Sequence, residues 1–436
     1  MTPPAPAASP EARPREGAWV ALLLLSLVSF VNYVDRMVLP ALAHPIKAEF
    51  GLSDTQVGLM TGFAFVLLYA FTSVPMARFA DRTHRSFVLS ASLAFWSVAT
   101  AACGLVRTFW ELLIARVCVG VGESGCQPIG YALISDYFPA HQRATAMGWF
   151  LVGNSLGVTA GFAIGGALGA AYGWRTAFLV VGLPGLLLAL AMAVLMRNPP
   201  REASAHHAAN NESTWSVFRM LIKDRTYRSL LLVNGIYSVL IFGPVAWLPM
   251  FFMRSHGLDL RSAGGGTGLA IGFGMAVGMV LGGICADRLV RQAPERPQLF
   301  CLATVIITGL AYAVVLQLPD PRWAFVATFV AAAIGALATP TNTTTIQNLC
   351  DSNVRATAAS LVTLMISLVG IGLAPFLIGL MSDWLAPSLG QESLRYALLI
   401  SLLVSIPTAM LYWRVTKLIR SDALNRDTVA LPTAAR

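Results

Sequence analysis

CVGVGESGCQP, residues 118 to 128, carries Gly120, Gly122 and Gly125 in the spacing G-x-G-x-x-G, with Glu123 among them. Between a strand and a helix, glycines so spaced hold a dinucleotide pyrophosphate. The residues before them, FWELLIARVCV at 109 to 119, are mainly apolar, and no strand–helix alternation surrounds them. A dinucleotide site also needs an acid about 20 residues further on, whereas the next acid, Asp136, comes eleven residues after Gly125. Inside an apolar helix the same glycines have another use, because small residues let neighbouring helices approach closely. Pro128 has no amide to offer the carbonyl of Ser124, so the helix is expected to bend just past Glu123. The glycines therefore shape the segment, and Glu123 carries its chemistry.

Composition extends this reading to the whole chain. Of 436 residues only 12% are charged and 56% are hydrophobic, where a soluble domain carries about 25% charged residues. A helix crosses about 30 Å of hydrocarbon with about 20 mainly apolar residues, so the chain has room for about a dozen crossings. The net charge of +9 belongs to the loops, and no nucleic-acid partner is expected. Six cysteines are scattered without metal or disulfide spacing. The opening MTPPAPAASPEARPREG has too little apolar surface to offset the entropy of ordering it, so residues 1–18 read as a disordered tail.

Apolar runs fall near residues 19–42, 55–80, 86–105, 109–136, 143–170 and 175–196, and again near 228–253, 262–286, 299–317, 322–349, 354–384 and 394–414. The expected architecture is an all-α membrane protein with twelve transmembrane helices. Residues 19–196 and 228–418 form two six-helix bundles, with a linker at 197–227 and a C-terminal tail at 419–436. Within the linker, Trp215, Phe218, Leu221 and Ile222 recur at helical spacing, as in a short helix lying in the membrane interface. Of the 30 Lys and Arg residues, 21 fall on the side that holds both termini and seven on the other. The positive-inside bias then places both termini in the cytoplasm; a bacterial inner membrane is the expected location.

The halves repeat. ARFADR at 77–82 corresponds to GICADR at 283–288, and RATA at 143–146 recurs at 355–358, offsets of 206 and 212 residues. Parallel six-span repeats imply two bundles related by an axis along the membrane normal, with a cavity between them.

On these motifs the chain resembles the major facilitator superfamily. ARFADRTHR resembles its loop motif, RVCVGVGESG its fourth-span motif and GNSLGVTAGFAIGGALG its fifth-span motif; Ala77 and His84 stand where the family usually has glycine. Within the superfamily, NYVDR on the first span together with GVGES on the fourth is similar to the Spinster transporters of lysolipids and sphingolipids, with Ser124 in place of the usual alanine. The resemblance implies alternating access without a cofactor, a proton as coupling ion, and an amphipathic small-molecule substrate such as a lysophospholipid or sphingoid phosphate. Small organic anions are the alternative cargo, and a membrane sensor without transport is a reading of another class. An enzyme is not expected, nor is a metal site; the protein should sit among membrane lipids as a monomer.

Particular residues carry the chemistry. Glu123 falls near the bilayer midplane, where a carboxylate either pairs with a cation or stays protonated. Arg116 lies seven residues earlier, roughly 10.5 Å along the same helix, too far for direct contact. Asp35 and Arg36 are adjacent on the first span and point about 100° apart. Asp35 reads either as a second protonatable acid or as an ion-pair partner of Arg116; Arg36 reads as an anion contact, since a guanidinium offers paired donors. The Spinster resemblance favours proton coupling through Asp35 and Glu123 and head-group binding by the arginine. Arg116 on the fourth span, Asn32 and Tyr33 on the first, Asn234 and Tyr237 at the matching place in the repeat, and Thr341, Asn342 and Thr345 in TPTNTTTIQN complete the expected substrate contacts, with helix–helix hydrogen bonding as the other reading of that polar run. Asp81, Arg82 and Arg85, with Asp287 and Arg288, sit at span ends; the superfamily resemblance implies conformational latches there. Gly153, Gly157, Gly161, Gly165 and Gly169 form a ladder suited to close helix packing.

Overall fold

The computed structural model describes residues 14–196, 214–293, 295–350 and 354–430. Most of the expected tail and the linker stretch 197–213 lie outside the described residues. The described chain is helical throughout, as a chain in lipid must be if its backbone is to satisfy its own hydrogen bonds. The first half contains α1 (Ala18–Phe50), α2 (Asp54–Gly58), α3 (Ala64–Arg82), α4 (Arg85–Cys103), α5 (Phe109–Glu123), α6 (Cys126–Tyr137) and α7 (Ala140–Leu195). The amphipathic linker helix α8 (Thr214–Lys223) follows. The second half contains α9 (Arg225–His256), α10 (Leu260–Val290), α11 (Arg296–Gln317), α12 (Pro321–Leu349), α13 (Arg355–Met365), α14 (Ala374–Leu389), α15 (Ser393–Leu402) and α16 (Ser405–Ala430).

Among the described residues, nine continuous helical runs are long and apolar enough to cross a membrane. Two of them are far longer than one crossing: His141–Leu195 has 55 residues and Thr357–Ser421 has 65. The first is broken at Gly173, whose φ of 83° and ψ of 158° lie where a side chain is strongly disfavoured. As its Pro128 signal implies, the opening stretch is interrupted: α5 ends at Glu123, Ser124 and Gly125 turn, and α6 begins at Cys126.

Several helices outrun the apolar pattern. α1 continues through Pro40 and Pro45 to Phe50, beyond the expected end at 42. The reason is the cap: Gly51 adopts φ 62° and its amide closes on the carbonyl of Lys47, a stop signal independent of hydrophobicity.

α7 organises the packing, lying against α1, α4 and α10, while α10 in turn packs on α12. The glycine ladder faces α1. A Cβ added at Gly157 would stand 2.5 Å from the carbonyl oxygen of Phe30 and 2.7 Å from Cβ of Tyr33. Gly157→Leu should therefore push the two backbones apart at a cost of about 1–3 kcal/mol. It is expected to lower the apparent Tm of the purified protein; an unchanged melting profile would contradict this packing.

The halves meet along two seams of different character. α7 meets α10 through glycines, Gly264 lying so close that its added Cβ would be 3.0 Å from Cα of Gly166. On the other side, α2, α3 and a π-helical stretch at Leu59–Phe63 meet α14 and a second π-helical stretch at Ile366–Leu373.

Candidate functional site

Two cavities lie between the halves. The larger, about 280 Å³, is walled by both halves, with Tyr33, Asn154 and Ser155 on one side and Asn234, Tyr237 and Asn342 on the other. Among the described residues that line it none is charged. A smaller one of about 50 Å³ is lined by Arg36, Arg116, Phe65 and Pro375 among others. Tyr33 and Phe242 line both.

The four intramembrane charges sit beside the small cavity. Arg36 Nε donates to Glu123 Oε2 at 2.7 Å, with the glutamate fully buried. Arg116, also buried, turns Nη1 to the main-chain carbonyl of Asp35 at 3.5 Å. The Asp35 carboxylate accepts from the Thr100 hydroxyl at 3.3 Å. The expected alternative of an Asp35–Arg116 ion pair is therefore not formed in this state; the pair across the helices is Arg36–Glu123. The 100° step between positions 35 and 36 explains it. Asp35 is directed to Thr100 of α4 and Arg36 to Glu123 of α5.

Three aromatic rings surround the same guanidinium. Its central carbon lies 5.3 Å from the Tyr33 ring centroid, 5.1 Å from Phe65 and 5.0 Å from Tyr69. Each is within the range at which a cation is drawn to a ring face. Arg36 Nη2 and Arg116 Nε are buried without a hydrogen-bond partner.

The remaining expected contacts divide. Tyr33, Asn234, Tyr237 and Asn342 line the larger cavity; Asn32 is fully buried and lines neither. Tyr237 donates its hydroxyl proton to the Gly335 carbonyl, and Asn342 Nδ2 donates to the Tyr412 hydroxyl at 2.6 Å. Thr341 and Thr345 do not reach the cavity. Gln298 of α11 donates to the Thr345 hydroxyl at 2.8 Å, and Thr345 donates to the Thr341 carbonyl at 2.9 Å. The exposed stripe of that polar run is Thr339, Thr343 and Gln347 instead, which recur every four residues. Polarity showed that the segment holds hydrogen-bonding groups, not which of its faces is turned to the cavity.

At the span ends, Arg85 joins Asp81 at 2.6 Å and Asp136 at 2.5 Å, all within the first half. Arg82, Asp287 and Arg288 form no ion pair among the described residues. The charges that do join the halves lie at the opposite end of α1. Asp54 receives both terminal nitrogens of Arg254, at 2.5 and 2.8 Å, together with Lys47 and, at 2.7 Å, the Ser382 hydroxyl. Asp383 of α14 in turn accepts from the amides of Asp54 and Thr55 at 2.8 and 2.7 Å, capping a helix of the other half. No motif marks these residues in the sequence; each reads there as an ordinary charge at or near a span end.

A helical membrane protein with a cavity walled by two halves, a buried ion pair beside it and a charged clamp at one end has the parts that a transporter needs. The model of the Major Facilitator Superfamily matches residues 25–375, and the chain belongs to that family. It is similar to an MFS-type efflux pump of Mycolicibacterium smegmatis, 30% identical over 93% of this chain and 94% of that one. It is also similar to human protein spinster homolog 1, 28% identical over 83% of this chain and 72% of that one. Among solved structures it resembles a bacterial homolog of the human lysosomal transporter Spinster in inward-facing conformations. The occupied form has a TM-score of 0.82 at 27% identity, covering 92% of this chain and 97% of that one. The unoccupied form has a TM-score of 0.83 at 27% identity, covering 95% and 99%. The chain is thus a secondary transporter working by alternating access, related to the Spinster proteins, and not an enzyme.

Proposed function

We propose that the chain moves an amphipathic, lysolipid- or sphingoid-phosphate-like substrate across a bacterial inner membrane, driven by protons. The observation that carries this is the pairing of cavities. A small cavity with two arginines shares Tyr33 and Phe242 with a larger, neutral and mainly apolar one. An anionic head group suits the first and an apolar chain the second. Arg36 and Arg116 are the head-group contacts; Tyr33, Asn234, Tyr237 and Asn342 line the path of the rest.

Glu123 and Asp35 are the proposed proton carriers. Removing a cation from a buried pair leaves an uncompensated charge, so withdrawal of Arg36 with no other cation taking its place favours a proton on Glu123. Asp35, whose carboxylate accepts from the Thr100 hydroxyl, is the second of the two buried acids beside the small cavity.

The nine apolar runs support twelve crossings when α5 and α6 are taken as one more and the 55- and 65-residue runs are each divided in two. The bundles are then 19–196 and 228–418, joined by 197–227, with both termini cytoplasmic by the positive-inside bias. In that orientation the Asp54–Arg254 clamp would close the outer end, the arrangement of an inward-facing state. Arg82, Asp287 and Arg288, together with the Asp81–Arg85–Asp136 cluster, are the proposed latches of the inner end, awaiting partners until that end closes.

Arg36→Ala tests the head-group role. It should weaken binding of a phosphate-headed lysolipid to the purified protein by about 10- to 100-fold, the value of a charge-assisted hydrogen bond. An unchanged Kd would overturn the role of Arg36. Stabilisation by small hydroxy acids but not by lysolipids would replace the substrate reading with that of an organic-anion transporter.

A further inference from the structure

The environment of Arg36 is unusual for a residue whose task is to hold an anion. Its guanidinium is enclosed by the faces of Tyr33, Phe65 and Tyr69, and its Nε is bonded to Glu123. Phe65 and Tyr69 also stack on each other, with centroids 5.7 Å apart, which fixes two walls of the enclosure. Three ring faces and one carboxylate form a receptor for a cation. Rings attract a quaternary ammonium, which has no proton to donate to a hydrogen bond, as readily as a guanidinium.

We propose that the Tyr33–Phe65–Tyr69 cage closed by Glu123 is a subsite for an ammonium group of the substrate, and that Arg36 occupies it as an internal stand-in until the head group displaces it. The inference rests on the reading of the two cavities as the substrate site and specifies the head group more narrowly.

The argument is one of charge conservation in a buried site. A phosphate entering the small cavity past Tyr33 and Phe242 attracts Arg36, whose Nη2 is unbonded, and Arg116, whose Nε is unbonded. Drawing Arg36 out of the cage strips Glu123 of its cation, and a lone buried carboxylate is costly. A head group with an ammonium close to its phosphate removes that cost. Arg36 goes to the phosphate, the ammonium goes to Glu123 and the rings, and two ion pairs exchange partners with no net change in buried charge. A phosphate monoester without the ammonium leaves the cage empty and Glu123 unpaired. Selection for a head group bearing both charges follows from the arrangement of one carboxylate, one guanidinium and three rings.

The test is titration calorimetry on the full-length protein in detergent with two probes that share one acyl chain, a lysophospholipid with a phosphocholine head and its phosphate-monoester counterpart. The phosphocholine probe should bind the wild type about tenfold more tightly, the scale of a desolvated cation–ring contact together with its carboxylate. Tyr69→Leu should erase most of that preference while moving the phosphate-monoester Kd little. Tyr69→Phe, which keeps the ring face, should retain it and serves as the control for folding. Equal affinity of the wild type for both probes, or an equal loss for both in Tyr69→Leu, would overturn the cage as an ammonium subsite while leaving the lysolipid reading intact. Failure of either probe to bind the wild type would bring down that reading and the cage together.

Discussion

Glu123→Gln is expected to reduce proton-driven transport to the level of protein-free liposomes while the protein remains folded. Glutamine keeps the shape of the side chain and an oxygen to accept from Arg36, but it neither carries the charge nor exchanges the proton. Arg36 is then left as a buried cation with no counter-charge, only an amide oxygen and ring faces around it, which should cost about 3 kcal/mol of stability, softened by the three cation–ring contacts. The measurement is substrate flux in proteoliposomes under an imposed pH gradient, set beside counterflow exchange with no gradient. Loss of the gradient-driven component with exchange preserved is the predicted pattern. Normal gradient-driven flux in the variant would remove Glu123 from the coupling mechanism.

The second large effect is conformational. Asp54 is buried and joins Lys47, Arg254 and Ser382, so that one carboxylate links α2 to α1, α9 and α14. Asp54→Ala leaves Arg254 without its bidentate partner and should shift the balance away from the clamped state by about 3 kcal/mol, roughly 100-fold in population. Val57, buried beside the clamp, reports the change. In a background with the six native cysteines replaced, Val57→Cys should react with a membrane-impermeant maleimide far faster when Asp54→Ala is also present. An identical labelling rate with and without Asp54→Ala would show that the clamp does not govern this end.

Both effects depend on residues whose partners are unequally visible in the sequence. Glu123 is conspicuous there because a lone acid in an apolar run has few cheap explanations. Asp54, Arg254 and Asp383 are not, because charges at the ends of spans are the ordinary condition of loops. The same contrast holds on α12. The polar run at 339–348 announces buried hydrogen bonding, yet Thr341 and Thr345 bond within their own helix and to α11, while Thr339, Thr343 and Gln347 line the cavity. Helical periodicity gives the angle between side chains on one helix; it does not give the azimuth at which the next helix lies.

The sequence by itself determined that the chain is a bundle of membrane helices, with motifs that recur along it and with acids and arginines inside the apolar layer. Those conclusions follow from transfer energies summed over long runs, and each residue contributes to them whatever its neighbours in space. It also determined that CVGVGESGCQP is a broken helix rather than a phosphate loop, since Pro128 and the apolar flanks act locally. Only the tertiary structure decided that Glu123 pairs with Arg36 rather than standing alone, that Asp35 and Arg116 do not form a carboxylate–guanidinium pair, and that the end near Asp54 is the one clamped shut. An ion pair exists or fails over an ångström or two between helices, and that separation is set by how glycines and rings pack, a relation that no linear spacing contains.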